Sequence, residues 1–221
     1  MKKAVSIFLR LPFSIIASIR SYFLSLKVSG NGRIKLYSPF LPVTISKGAN
    51  AKIEIAGTLK IVPHLKGRDP VLISMGNNSQ LKIDGDFIIG NGVKIVLSDN
   101  ARLYIGGKKK ESESGITSQT LIMVYDDIYI GSDLLCAWDV FITDSDWHHI
   151  EGQEKSKKVR IGDHVWIAHK SSILKGSQIG EGCVVASHSK LAGKEFPGFS
   201  LIGGTPARIL KDNIIWGRDL R

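Results

Sequence analysis

From Ile161 to Leu191 the chain repeats every six residues without a slip. Ile161, Ile167, Ile173, Ile179, Val185 and Leu191 are aliphatic, and small or polar residues fill the intervals: Gly162-Asp163, Ala168-His169, Lys175-Gly176, Gly180-Glu181 and Ala186-Ser187. A helix repeats every 3.6 residues and a half-buried strand every two, so neither generates a strict six. A parallel β-helix does, because each hexad forms one short side of a triangular coil and sends its marker side chain inward. One coil then takes three hexads and buries its interior only against its neighbours.

The same ruler lies over earlier parts of the chain, with breaks. Val43, Ala49, Ile55 and Ile61 keep step until His64 to Pro70 interrupts them. Ile83, Ile89, Ile95 and Ala101 resume, with "IIGNG" at 88–92 as a recognisable repeat. "GGKKKESESG" (106–115) reads as a solvated loop thrown out from a corner, and Val124, Ile130, Cys136 and Ile142 form a third run. After Leu191 the chain leaves the ruler through Pro197, Gly203-Gly204 and Pro206. Three parts are expected: an N-terminal apolar or amphipathic helix (1–29), a β-helix (30–208), and a short C-terminal helix or tail capping the open end (209–221).

Residues 4–26 are the least polar segment. Ser6, Arg10, Ser14, Ser18, Ser21 and Ser25 recur every three or four residues, a narrow polar stripe on an otherwise apolar helix. The uncharged run between Arg10 and Arg20 is too short to span a bilayer. Lys2-Lys3 before an apolar stretch also suggests a secretory signal, but Arg10 interrupts it and no clear cleavage site follows. A helix docked on protein, an interfacial membrane helix over residues 1–26 and a cleaved signal all stay open.

The net charge of +10 points to anionic partners. Lys and Arg are scattered and no nucleic-acid-binding motif accompanies them, which excludes nucleic acid and leaves a phosphorylated ligand or an anionic membrane surface. Cys136 and Cys183 both fall in repeat positions, as buried reduced thiols would. The expected location is cytoplasmic, with a peripheral contact at the inner face of the cytoplasmic membrane left open.

Chemistry is expected in "FITDSDWHHIEGQEKSKKVRIG". Ile142 and Ile161 are nineteen residues apart, so the ruler slips by one inside a hydrophilic excursion holding Asp144, Asp146, Trp147, His148 and His149. Loops on a rigid scaffold carry function, and here a β-helix stands on both sides. Alternating Asp and His, with His164 and His169 nearby, could also bind a metal ion.

"IGDHVWIAHKSSILKGSQIGEGCVVASHSKLAGKEFPGFSLIGGTPARIL" resembles the C-terminal half of the hexapeptide-repeat acyltransferases, and the sugar and polysaccharide O-acetyltransferases in particular. The resemblance implies a left-handed parallel β-helix, although parallel crossovers are usually right-handed. It implies acetyl-coenzyme A as acyl donor, a carbohydrate acceptor, no metal, and a homotrimer with three sites completed between subunits. Thr143 followed by "DSDWHH" matches the family's catalytic histidine best at His148, where imidazole would take a proton from the acceptor hydroxyl near neutral pH. Asp146 or Asp144 would hold that imidazole, with Asp127 and Asp133 as further carboxylates from the preceding coil. Trp147, His149 and Asp127 fall to the acceptor side. The backbone N–H of Ala168 would stabilise the oxyanion, and the donor would lie along Trp166, Ala168, Ala186, Ser187, Lys190, Lys194 and Arg208. Transfer to the nitrogen of an amino sugar, or a β-helix without catalysis, are the competing readings.

Overall fold

In the computed structural model, which describes residues 2–108 and 113–218 and only the backbone of residues 2–12, the hexads become the sides of a triangular coil. In the regular run each hexad is a two-residue strand ending on its marker: Trp166–Ile167, Ser172–Ile173, Gln178–Ile179, Val184–Val185 and Lys190–Leu191. Successive hexads fall on three different walls, so Ile167 lies beside Val185 and Ile173 beside Leu191, eighteen residues further on. The first wall holds nine strands, the second and third seven each, among the described residues. Every marker of this run is buried. The residue two places before it is buried as well, a valine ahead of the first two markers (Val159 and Val165) and small ahead of the other four: Ser171, Ser177, Cys183 and Ser189. A narrow triangle has room for one large side chain per side.

The glycine that follows a marker has its own reason. A Cβ on Gly162 would stand 2.7 Å from the Glu181 nitrogen, and one on Gly180 would stand 2.4 Å from the Gly198 nitrogen. Backbone of the next coil passes where a side chain would be, so only glycine fits at these corners.

The coil is not uniform along its length. On the second wall the strands shorten steadily, from Val43–Lys47 and Val71–Met75 through Lys94–Leu97, Leu121–Val124 and Phe141–Thr143 to Ser172–Ile173 and Lys190–Leu191. Val71, Ile73 and Met75 all point inward from a single side, where the later coils bury one large residue. The ruler fails at its first two marks for this reason: Val43 is half-buried and Ala49 exposed, while Ile45 and Ala51 fill the interior. The later marks Ile55, Ile61, Ile83, Ile89, Ile95, Ala101, Val124, Ile130, Cys136 and Ile142 are all buried.

Helix α1 (Lys2–Ser25) runs through Pro12 and lies against the first strand, Arg33–Leu36, at the open end of the first wall. The Ser21 hydroxyl accepts the Leu36 N–H at 2.9 Å, and the Ser25 hydroxyl accepts the Ile34 N–H at 3.0 Å. The Arg20 guanidinium donates to the carbonyls of Pro39 and Leu41. These side chains supply partners that a further strand would have given. At the other end Leu201–Gly204 turns back into the antiparallel strand Ala207–Lys211. Residues 212–218 form no helix. They run back along the vertex between the third and first walls: the Ile214 N–H donates to the Phe199 carbonyl, and Arg218 donates to the carbonyls of Asp133 and Leu134. The centre of the charged loop, residues 109–112, lies outside the described residues, while Ser114 beside it is buried.

Candidate active site

The excursion leaves the coil at the vertex between the second and third walls, which is the vertex opposite the first wall. Ile142 pairs with Ile173, thirty-one residues on, so this turn carries thirteen residues more than a regular coil. Its neck is a short antiparallel bridge between Ser145 and Ser156. The Asp146 N–H donates to the Lys155 carbonyl at 3.0 Å and the Lys157 N–H to the Asp144 carbonyl at 2.9 Å.

Beneath the neck Asp144 is fully buried and takes three backbone donors: Tyr125 at 2.7 Å, Asp126 at 2.8 Å and Asp127 at 2.7 Å. It thereby holds the corner of the preceding coil. Trp147 sits at a φ of 66°, and its indole N–H donates to the Thr143 hydroxyl at 2.9 Å. The Trp147 ring meets Tyr125 edge-on, and the Lys155 ammonium lies 4.1 Å from the Tyr125 ring centre. Asp146 forms an ion pair with Lys175 of the following coil, and Lys175 also donates to the Glu154 carbonyl at 2.6 Å. The loop is therefore tied to the coil before it and the coil after it. Between the loop and the next turns lies a cavity of about 550 Å³, lined by Asp146, Gln153, Lys157, Lys175 and Gly193 among others. At the loop tip His148 and His149 are exposed, and neither imidazole is hydrogen-bonded to another described residue.

Several expectations change with this geometry. The oxygens of Asp144 are spent on backbone N–H groups and Asp146 on Lys175, so neither holds the His148 imidazole within the protomer. Asp127 bridges Arg160 at 2.5 Å and Arg102 at 3.1 Å on the third wall, away from the loop tip. The Ala168 N–H donates to the Val185 carbonyl at 2.9 Å as a rung of the first wall, so it is not a free oxyanion donor.

The donor-side residues divide into two groups. Trp166 is on the first wall, and the pairing of Ile167 with Val185 and of Val185 with Ile202 sets Ala168, Ala186 and Gly203 in a row one step beyond them. Ser187 stands next to that row, its hydroxyl 3.0 Å from His169 Nδ1, and Arg208 pairs with Gly203. The result is a strip of small side chains that long pantetheine-like chains could lie along, with one cation at its end. Lys190 instead lies on the second wall, and Lys194 lies at the vertex that carries the His148 loop. Asp144, Asp146, His148, His149, His164 and His169 do not gather, and among the described residues no three His, Cys, Asp or Glu side chains come together as a metal site would need.

Cys136 and Cys183 are free and buried. Burial pushes the Cys136 thiol up to about 12 and raises that of Cys183, so neither is a thiolate near neutral pH.

Three contributors were invisible in sequence. Lys175 lies twenty-nine residues from Asp146, and only the coil register brings them together. Tyr125 supports the loop from the coil before it. Trp216 stacks on His164 with ring centres 4.2 Å apart and reaches Trp166 at 5.9 Å, so the tail borders the first wall. A residue's offset from its marker is the signal that could have found the first two.

Comparison with known proteins gives an independent line. Residues 158–193 match the family profile described as bacterial transferase hexapeptide (six repeats). The probable acetyltransferase Rv3034c of Mycobacterium tuberculosis is 31% identical over 160 residues, covering 68% of this chain and 52% of that protein. The polysialic acid O-acetyltransferase of Neisseria meningitidis is 33% identical over 151 residues, 66% of this chain and 68% of that protein. The putative lipopolysaccharide biosynthesis O-acetyl transferase WbbJ of Escherichia coli K12 is 32% identical over 149 residues, 61% of this chain and 73% of that protein. The chain spans about half the length of the first of these relatives.

Proposed function

This chain belongs to the hexapeptide-repeat acyltransferases, whose coil is a left-handed parallel β-helix, and from that premise we propose that it acetylates a sugar hydroxyl. The acceptor is a bacterial surface polysaccharide or its precursor, in keeping with two of the relatives above, a polysialic acid O-acetyltransferase and a putative O-acetyl transferase of lipopolysaccharide biosynthesis. Acetyl-coenzyme A supplies the acyl group as a thioester.

The observation that carries this reading is the setting of His148. Its imidazole makes no hydrogen bond to a described residue and stands at the tip of a loop that Asp144, Asp146 and Trp147 make rigid. His148 takes the proton of the acceptor hydroxyl as that oxygen is acylated, and returns it to the departing sulfur. Asp144 and Asp146 are positioning residues that build the loop. Trp147 and His149 on the loop form the acceptor side. Trp166, Ala168, Ala186, Ser187 and Arg208 line the donor strip, and Lys190 and Lys194 add cations for phosphate.

Incubation with acetyl-coenzyme A and a panel of neutral polysaccharides, sialic acid polymers and amino sugars, with released thiol measured, tests this. Release that depends on a hydroxyl acceptor is expected. Release with amino sugars alone would move the chemistry to nitrogen, and none with any acceptor would leave a binding solenoid.

The two halves of the site sit on opposite sides of one protomer: the His148 loop leaves the vertex facing away from the first wall, which carries Trp166. The halves meet when the vertex of one copy lies beside the first wall of the next, and three copies close such a ring. We therefore propose a homotrimer. Light scattering should give three times the 24.2 kDa chain mass, and a monomer at micromolar concentration would refute it. Among the described residues no helix is long and apolar enough to cross a membrane. We propose in addition a peripheral contact with the cytoplasmic membrane through residues 1–26.

A further inference from the structure

The C-terminal turns of helix α1 are mounted on the first strand through a mixed face: Ala17, Arg20, Ser21, Leu24 and Ser25 turn inward, and Ser21 and Ser25 satisfy that strand's open edge, while Ser14 and Ser18 of the same stripe are exposed. The opposite face carries Ile15, Ile16, Ile19, Tyr22, Phe23 and Leu26, each between 47 and 64% exposed. These six recur at helical spacing, as an amphipathic face does, but that face points away from the protein. Phe13 and Phe40, in ring contact 5.2 Å apart, widen the same apolar surface. A contiguous apolar face of this kind marks a contact site.

Charge says what covers it. The first sixty residues contain ten Lys and Arg and a single acid, Glu54; the remaining 161 contain twenty basic and nineteen acidic residues. Nine of the ten net charges thus lie at one end of the solenoid. Lys27, Arg33, Lys35, Lys47 and Lys52 are all exposed there. A second copy docked on this face would bring two such ends together, like charge on like. An anionic bilayer offers what both features need, apolar depth for the helix face and phosphate for the cations.

We propose that the N-terminal end of the solenoid docks on an anionic lipid surface, with the outward face of α1 in the interface and the first coil's lysines and arginines against the headgroups. This deepens the peripheral contact assigned above and does not depend on acetyl transfer, because the test measures no turnover. Full-length protein is sedimented with vesicles of phosphatidylcholine alone and with about a third phosphatidylglycerol. Binding to the anionic vesicles is expected, weaker by about tenfold or more on the neutral ones, and loosened by about 0.5 M salt. The double variant Ile19→Glu, Phe23→Glu should lose about tenfold or more in vesicle binding with thermal unfolding unchanged, since both side chains are exposed. Failure of the full-length chain to bind anionic vesicles would overturn the proposal, as would a double variant that binds like the parent. A double variant of lower mass than the parent by light scattering would instead assign the face to a second copy and overturn it equally.

Discussion

Replacing His148 by alanine is expected to lower turnover by about 10²–10⁴, the usual contribution of a general base. The side chain is exposed at a loop tip and has no hydrogen-bond partner among the described residues, so unfolding should shift by less than about 0.5 kcal/mol. Loss of activity without loss of stability is what separates a base from a structural residue. His149→Ala, one position on in the same exposed tip, should cost less than about tenfold. Steady-state thiol release and circular dichroism on both variants decide the matter. If the two effects are reversed, the base is His149; if neither variant is impaired, acetyl transfer does not run through this loop at all.

Asp144→Ala should be the most damaging single change to the fold near the site. The carboxylate is fully buried and accepts three backbone N–H bonds, from Tyr125, Asp126 and Asp127. Hydrogen bonds to a charged acceptor contribute more than neutral ones, and removing this one leaves three donors without a partner. A loss of about 3–5 kcal/mol follows, or roughly 10 °C in melting temperature for a chain of this size. Asp146→Ala should cost no more than about 1 kcal/mol, because its ion pair with Lys175 is partly exposed. Calorimetry on the two variants gives the comparison. An Asp144→Ala protein that melts with the parent would show that the buried carboxylate does not hold that corner.

The repeat was legible wherever a coil side holds one large residue, from Ile161 to Leu191. It misled where the coil is wider: the five-residue strand Val43–Lys47 puts Ile45 inside in place of Val43, and in the turn after it Ala51 is inside in place of Ala49. The polar stripe of α1 was legible too, but which way it faces was not. The usual rule turns apolar residues toward the protein, whereas here an unpaired strand edge asked for hydroxyls, and Ser21 and Ser25 supplied them. Scattered cations concealed the charge asymmetry, which lies in where the acids are missing. The loop that carries His148 could be singled out as an interruption of the repeat; the partners of Asp144 and Asp146 could not, since Tyr125 and Lys175 become neighbours only when the coils are stacked. Nothing in the tail's composition announced that Trp216 would stack on His164.

The narrowing of the second wall from five-residue to two-residue strands also bears on how large an object this chain can make. A prism of constant girth would offer matching hydrogen-bonding rims at top and bottom, and copies could add end to end into a fibre of indefinite length. Here the two ends of the second wall do not match, a five-residue strand at one and a two-residue strand at the other. The N-terminal end is closed by serine hydroxyls and an arginine, and on the first wall the last parallel strand is followed by a strand of reversed direction. A column of such molecules has no consistent register to propagate, which leaves sideways association, as in the ring of three proposed above, as the mode of assembly.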